Sequence, residues 1–181
     1  TRHVVVAWNG PCELLTGIDA GDVLGTQDHW KGFYDEPRPC LADLVLDNLL
    51  TDASRFYSLH ERTEFASDAY KAEGWFDDLM GKRRYLTFEA KPLFDGDKII
   101  GAIEVLQDIT RHKEAEEQLK LSASVFENAS EGIVITSHDN HIISANRALE
   151  GLTGFRTDEM FGRNPRLFAS RRHPRSFFRK M

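Results

Sequence analysis

Hydrophobic residues along the chain follow two spacings, one typical of strands and one typical of helices. Apolar and polar positions alternate in RRYLTFEAKPLF, and after the turn sequence DGD the segment KIIGAIEVLQD returns as its partner. This pattern predicts a hairpin of two long antiparallel strands. In RPCLADLVLDNLL, Leu41, Leu44, Val45 and Leu49 have the spacing of a helix with one buried face. The chain therefore mixes long strands with short helices.

AWNGPCELLTG at 7–17 and SANRALEGLTG at 144–154 are two versions of one pattern. Each follows a β-branched run that predicts a strand, Val4–Val6 in the first copy. In each, an asparagine suits the N-cap of a short helix and a glycine suits its left-handed end. A shift of 137 positions aligns Asn9 with Asn146, Glu13 with Glu150, Leu15 with Leu152, Thr16 with Thr153, Gly17 with Gly154 and Gly25 with Gly162. Such a repeat predicts two domains of one kind.

A charged helix is predicted between the two copies, in ITRHKEAEEQLKLSASVFENA. Neither glycine nor proline occurs at 102–131, and a continuous helix can transmit a shift that a flexible linker would absorb. One helix face carries a thin coiled-coil seam formed by Ala115, Leu119, Ser122, Phe126 and Ala129. We expect this helix to mediate a homodimer.

The composition is that of an ordinary globular protein, with 41% hydrophobic and 29% charged residues and no apolar run of membrane-spanning length. Two cysteines are too few for a disulfide scaffold or a cysteine metal cage, so we expect a cytoplasmic setting without membrane contact. The net charge of −6 conceals a basic end, which has no acid and contains Arg163, Arg166, Arg171, Arg172, Arg175, Arg179 and Lys180. A basic end can indicate nucleic-acid binding or a domain cut in two. The arginines fit a helical surface, which favours the second interpretation.

The order of these elements resembles that of a PAS domain with a C-terminal PAC motif. The segments that carry the resemblance are WNGPCELLTG, GTQDHWKGFYDEPRP and GAIEVLQDITRHKEAEEQL. It implies a PAS domain at 1–112, a connecting helix at 113–130 and the N-terminal half of a second PAS domain at 131–181. The second copy is similar to PAS segments found before GGDEF and EAL domains and in sensor histidine kinases. Residues upstream of Thr1, including a first strand, and the last three strands of the second copy are expected outside this sequence.

The resemblance implies an α+β fold, in which an antiparallel five-stranded sheet with short helices on one face surrounds a small cavity. It also implies sensing rather than catalysis, with a diguanylate cyclase, phosphodiesterase or histidine kinase as the output domain. The sequence agrees, because it has no phosphate-cradling glycine loop, no metal-spaced set of histidines and cysteines and no nucleophile elbow.

A small organic ligand is the main candidate for the cavity of the first copy. The candidate ligand-binding residues are Trp30, Phe33, Tyr34, Arg38, Phe88 and Glu104. Arg38 could clamp a carboxylate, and a buried Glu104 would need Arg38 or a ligand amine as its partner. Alternatively, the aromatic residues are plain core and Glu104 faces water.

Asp108 and Thr110 follow the last predicted strand of the first copy. In chemical terms Thr110 can cap the next helix while Asp108 neutralises exposed amides or pairs with a base. The resemblance implies a second role, because PAS domains transmit their signal to the following helix at the position of Asp108 and Thr110. Both interpretations can hold together.

Flavin and haem are the less favoured cofactors. In GRNPRLF, Pro165 stands where light-sensing PAS domains have their photochemical cysteine, which argues against flavin adduct formation. Asn164 and Arg166 could still contact a flavin, although Asn164 and Pro165 also fit the start of a helix. Haem would need an axial imidazole. His29 and His60 fall in the pocket region, but no other feature of the sequence supports either of them as a haem ligand.

Overall fold

A computed structural model describes residues 3–57, 59–62 and 69–169, which belong to two compact units. Unit 1 is Thr1–Lys113 and unit 2 is Glu114–Met181. None of the helices in the described residues is long and apolar enough to cross a membrane.

Unit 1 begins with short helices, which are α1 (Gly10–Thr16), α2 (Ala20–Val23), a 3₁₀ helix at Asp28–Gly32, α3 (Leu41–Leu46) and a 3₁₀ helix at Leu50–Arg55. An antiparallel sheet follows, in the spatial order β1 (Leu59–Arg62), β2 (Tyr70–Phe76), β3 (Arg84–Asp95) and β4 (Lys98–Asp108). The α3 helix packs against β3 and β4. The unit therefore has the helices-on-sheet arrangement of the α+β class.

The predicted hairpin of long strands is confirmed. Along β3 and β4 the pairing runs from Leu86 opposite Asp108 to Asp95 opposite Lys98. Leu86, Phe88 and Ala90 are buried, as the alternation of apolar residues on β3 predicts. Tyr85 was expected on the opposite face, and it is buried as well. It lies opposite Trp75 on β2, and the two rings pack edge to face with their centres 5.0 Å apart.

The strand expected at Val4–Val6 is not a strand of the described sheet, and the described residues of unit 1 give four strands rather than five. Val5 instead pairs with the turn after α2. Its amide donates to the Thr26 carbonyl and its carbonyl accepts from the Gly25 amide, both at 2.9 Å. An extended segment becomes a sheet strand only when a neighbouring strand completes its ladder, and no strand of the described residues pairs with Val4–Val6.

The buried core of unit 1 lies between α3 and the sheet. Its largest fully buried side chains include Phe88, Leu41, Leu44 and Leu86. Leu41, Leu44 and Val45 come from the face of α3 that the sequence spacing predicted. The helix itself ends at Leu46, three residues before the last residue of the predicted apolar spacing.

Helix α4 spans Thr110–Asn128, whereas the sequence placed the connecting helix at 113–130. Unit 2 continues with β5 (Val134–Thr136), β6 (Ile142–Ala145), α5 (Arg147–Thr153), α6 (Thr157–Met160) and a 3₁₀ helix at Pro165–Phe168. The two strands pair as an antiparallel hairpin. The small buried core of unit 2 consists of Ile142, Ala145 and Met160.

The 137-residue repeat is visible in the hydrogen bonds inside each unit. In unit 2 the amide of Ile142 donates to the Arg163 carbonyl and its carbonyl accepts from the Gly162 amide, both at 2.8 Å, as Val5 bonds in unit 1. The other matched bonds are the N-caps of Asn9 and Asn146, the left-handed ends at Gly17 and Gly154, and the acceptance of the Ala20 and Thr157 amides by the carboxylates of Glu13 and Glu150. The sequence repeat is therefore a structural repeat.

Candidate functional site

A polar cluster centred on Asp43 lies at the first turn of α3 in unit 1. One carboxylate oxygen of Asp43, Oδ1, is 2.7 Å from His3 Nδ1. The other, Oδ2, is 2.8 Å from His29 Nε2 and accepts the Cys40 amide at 2.8 Å. The capping of α3 positions Asp43 and Cys40, while His29 comes from the 3₁₀ helix before α3. Histidine, cysteine and carboxylate groups from three chain segments therefore meet in one place.

The members of this cluster shift one another's protonation. Burial alone would raise the pKa of Asp43, but the bonds from His29 and His3 outweigh it and lower that pKa. Burial alone would lower the pKa of His29, but the hydrogen bond to Asp43 and the charges of Asp43 and Glu104 together raise it. The pKa of the Cys40 thiol lies well above its ordinary value, because the thiol is buried and lies near the acidic groups of Glu104 and Asp43. The cluster therefore favours a charged carboxylate beside a protonated thiol.

Glu104 lies on the inner side of β4 next to this cluster. Its Oε2 accepts the backbone amide of Ala42 at 2.8 Å. Burial raises the pKa of Glu104 to about 7; the Ala42 bond and His29 oppose the rise, and Asp43 adds to it. Because an isolated buried carboxylate is costly, Glu104 is the least well compensated charge of this region.

Arg38 lies against aromatic rings in the same unit. Its guanidinium carbon is 3.9 Å from the centre of the Tyr34 ring and 5.2 Å from that of Tyr57. Its Nη2 donates to the Phe56 carbonyl at 2.9 Å, and its buried Nε has no hydrogen-bond partner within the described part of the chain. Burial raises the pKa of Tyr34 to about 12. Arg38 thus keeps one donor available inside an aromatic environment.

The structure brings most of the predicted pocket residues together. Phe33, Tyr34 and Phe88 form one aromatic cluster, with ring centres 6.2 Å apart for Phe33 and Tyr34 and 5.8 Å apart for Phe33 and Phe88. Trp30 is half-buried beside Lys31. The expected partnership of Arg38 and Glu104 is not among the described contacts, since Arg38 bonds to Phe56 and Glu104 to Ala42. Their role in ligand binding stays a prediction.

Asp108 and Thr110 lie where β4 gives way to α4. The Thr110 hydroxyl accepts the Tyr85 amide at 2.8 Å, and Asp108 Oδ1 accepts the Thr110 amide at 3.0 Å. Asp108 also pairs with Arg84 on β3. Partial burial would raise the pKa of Asp108, but the bonds from Thr110 and Arg84 lower it overall. The start of α4 is therefore fastened to β3, which is compatible with both the capping and the signalling interpretation.

Sequence reasoning missed His3, Cys40 and Asp43. It found no metal-spaced set of histidines and cysteines, yet among the described residues His29, Cys40 and Asp43 are close enough to hold a metal ion. Their order along the chain, a histidine followed after ten residues by a cysteine and then by an aspartate, has no established motif. The one available signal was an acidic residue, Asp43, within the apolar helix LADLVL.

The candidate residues for flavin, haem and nucleic-acid binding gain no support from the described contacts. Asn164 accepts the Arg166 amide at 3.0 Å at the start of the 3₁₀ helix, which is the bond expected of a cap. The side chain of His60 is not described. Five of the basic residues at the chain end lie outside the described residues, namely Arg171, Arg172, Arg175, Arg179 and Lys180.

Comparison with protein-family models identifies both copies. A model described as a PAS domain matches residues 1–111, and a second PAS domain model matches residues 120–181. The chain therefore belongs to the PAS domain family and contains two PAS segments in tandem, the second of them short. No curated protein matches the chain. Membership of this family makes the chain a sensory or regulatory module.

Proposed function

We propose that this chain is the sensory module of a bacterial, cytoplasmic signalling protein. It binds ligand rather than catalysing a reaction. In this proposal the first PAS domain takes a small organic ligand and its state passes through α4 to an output domain. That domain is of the diguanylate cyclase, phosphodiesterase or histidine kinase class.

The observation that carries the proposal is the placement of Glu104. This residue brings a carboxylate with a pKa near 7 into unit 1 on β4, the same strand that ends at Asp108. Arg38 contributes a buried donor without a partner in the described chain. Ligand sites combine apolar walls with a few polar groups of this kind. A ligand with an amine or carboxylate would therefore compensate groups that the protein alone leaves poorly paired.

The route to α4 is short. From Glu104 the strand runs four residues to Asp108, and Ile109 then donates its amide to the Tyr85 carbonyl at 2.9 Å. Thr110 accepts the Tyr85 amide in return. A ligand that shifts β4 relative to β3 changes the geometry of this pair of bonds. Ligand binding transmits a signal only if it favours one arrangement of the junction over the other.

Spectroscopy and native mass spectrometry of the purified chain test the proposal. We expect no flavin or haem absorption and the retention of a small molecule by unit 1. Arg38→Ala should abolish this retention, whereas the control Arg83→Ala should not, because Arg83 is exposed and stacks on Trp75 at the surface. Retention that survives Arg38→Ala would remove Arg38 from the site, and a flavin band would favour the alternative of a redox sensor.

A second candidate function is that of an interaction module without a ligand. The packing of Phe88 favours it, because the rings of Phe33, Tyr57 and Phe76 lie 5.5–6.1 Å from that of Phe88 and fill the interior. In this case the chain dimerises through α4, where Leu119 is 72% exposed.

Light scattering after size-exclusion chromatography tests the dimer. Leu119→Glu should dissociate it, because Leu119 lies on the predicted seam. Leu121→Glu is the matched control, since Leu121 is also exposed but lies off the seam. Equal masses for both variants and the parent chain would exclude the seam as the interface.

A further inference from the structure

Three different metal-binding donors meet at the N-terminal turn of α3. They are a ring nitrogen of His29, the sulfur of Cys40 and a carboxylate oxygen of Asp43, and all lie within 4.8 Å of one another. We propose that these residues form a binding site for one divalent transition-metal ion of the zinc class. This site is separate from the organic-ligand role proposed above.

The spacing of the donors suits a metal of this size. Zinc binds sulfur at about 2.3 Å and nitrogen or oxygen at about 2.0–2.2 Å, so the donors around one ion lie roughly 3–4 Å apart. His29 Nε2 and Asp43 Oδ2 are now 2.8 Å apart in a direct bond. A metal would replace this bond and needs only a small separation of the two groups. Three protein donors leave a fourth position for water or another small ligand.

The donor set selects the class of ion. A thiolate sulfur disfavours magnesium and calcium and favours zinc, cobalt or copper, and imidazole adds to this preference. Thiolate and carboxylate together carry two negative charges, which balance one divalent cation in a buried place. Cys40 is 4% exposed, and cysteine binds a metal as the thiolate, so the metal must displace the thiol proton. Binding therefore forms a metal–sulfur bond and releases the thiol proton to solvent. The proton that His29 Nε2 shares with Asp43 moves to Nδ1, or to solvent from the imidazolium, when Nε2 binds the metal.

A second layer of contacts holds the donors in place. His3 occupies Oδ1 of Asp43 at 2.7 Å and leaves Oδ2 facing His29. The Cys40 amide bonds to the same carboxylate, so Cys40 and Asp43 are fixed relative to each other by the turn itself. The buried Nδ1 of His29 has no hydrogen-bond partner in the described residues. The contacts to Asp43 and Cys40 are orienting contacts typical of metal sites, whereas the ring of His29 lacks such a contact in the described residues.

Cobalt titration of the reduced, chelator-treated full chain tests the site. We expect one equivalent of Co²⁺ to produce a near-ultraviolet thiolate-to-cobalt charge-transfer band, and Zn²⁺ to displace it. Cys40→Ser should abolish the band and the control Cys12→Ser should keep it, because Cys12 is the other cysteine of the chain. The absence of the band from the parent chain, its persistence in Cys40→Ser or its loss in Cys12→Ser would overturn the proposal.

Histidine variants keep the test decisive if Cys40→Ser does not fold. His29→Gln removes a donor outside α3 and should weaken Zn²⁺ binding by about 100-fold or more, while His3→Gln, which removes only an orienting contact, should weaken it by about 10–100-fold. Unchanged Zn²⁺ affinity in His29→Gln would contradict the site. Because the probe is the metal alone, failure here leaves the organic-ligand proposal standing, and failure of that proposal leaves the metal site standing.

Discussion

Glu104 accepts a hydrogen bond at 2.8 Å from the amide of Ala42, a residue 62 positions earlier in the chain. This bond joins the last strand of the sheet to the start of α3, where the Asp43 cluster lies. The same strand enters the β4–α4 junction four residues later. One strand therefore contacts both the polar interior of unit 1 and the helix that leaves it.

The first prediction concerns Glu104→Gln and pH. The folded pKa of about 7 lies above the ordinary value of 4.5, so the folded state holds the Glu104 proton to higher pH. The stability that protonated Glu104 contributes is full below about pH 4.5 and is lost as pH rises through about 7. Gln keeps an acceptor for the Ala42 amide but cannot ionise. The variant should therefore gain stability relative to the parent across this window, on the order of 3 kcal/mol.

Urea unfolding of chelator-treated protein at several pH values measures this difference. Trp8, Trp30 and Trp75 all lie in unit 1, so tryptophan fluorescence follows this unit alone. The neighbouring groups His29 and Asp43 are present in both proteins, but the charge of Glu104 raises the pKa of His29, so the difference reports Glu104 together with this coupling. Parallel stability curves for the two proteins between pH 4.5 and 7 would show that Glu104 is not held in this buried state.

The second prediction concerns the β4–α4 junction. Thr110→Val keeps the shape of the side chain but removes the acceptor of the buried Tyr85 amide, which should destabilise unit 1 by about 1–3 kcal/mol. Thr87→Val is the matched control on β3, because the buried Thr87 hydroxyl has no partner in the described chain. That control should be neutral or stabilising in urea unfolding followed by tryptophan fluorescence. Equal effects of the two substitutions would contradict the role of Thr110.

The third prediction uses the repeat. Asn146 is fully buried, accepts the amides of Ile133 and Leu149, and donates to the carbonyls of Phe126 and Glu131. Removing it leaves several buried backbone groups unpaired, each at a cost of about 1–3 kcal/mol.

Asn9, the counterpart of Asn146 in unit 1, is exposed and caps only the Cys12 amide in the described contacts. Asn9→Ala should therefore lower the free energy of unfolding by about 1 kcal/mol. Hydrogen exchange measured by mass spectrometry should show fast exchange at 133–149 in Asn146→Ala. In Asn9→Ala the change should be small and confined to the first turn of α1. Similar effects in both copies would mean that the buried network of Asn146 adds nothing.

Local patterns predicted the parts of the fold that depend on local contacts. The alternation on β3 and the DGD turn identified the hairpin of β3 and β4, and the Asn and Gly positions identified α1 and α5. Strands joined by a tight turn and capped helices are determined by neighbouring residues. The strand at Val4–Val6 was predicted wrongly, since strand formation depends on a partner that the spacing does not reveal.

The candidate site was less accessible from the sequence. The aromatic cluster followed from composition, and Phe33, Tyr34 and Phe88 do lie together. The contact between His3 and Asp43 joins residues 40 positions apart, and no periodicity connects a histidine outside any helix or strand with an aspartate in a helix. Sites assembled by tertiary packing leave little trace in spacing.

We propose that the interior of unit 1 communicates with the start of α4 along β4. Hydrogen exchange at 110–116 tests it in Glu104→Ala, with Glu89→Ala on the exposed side of β3 as the control. We expect faster exchange at both Ala42 and 110–116 in Glu104→Ala, under conditions where tryptophan fluorescence shows unit 1 folded, and no change in Glu89→Ala. Exchange that accelerates at Ala42 but stays at the parent rate at 110–116 would contradict it.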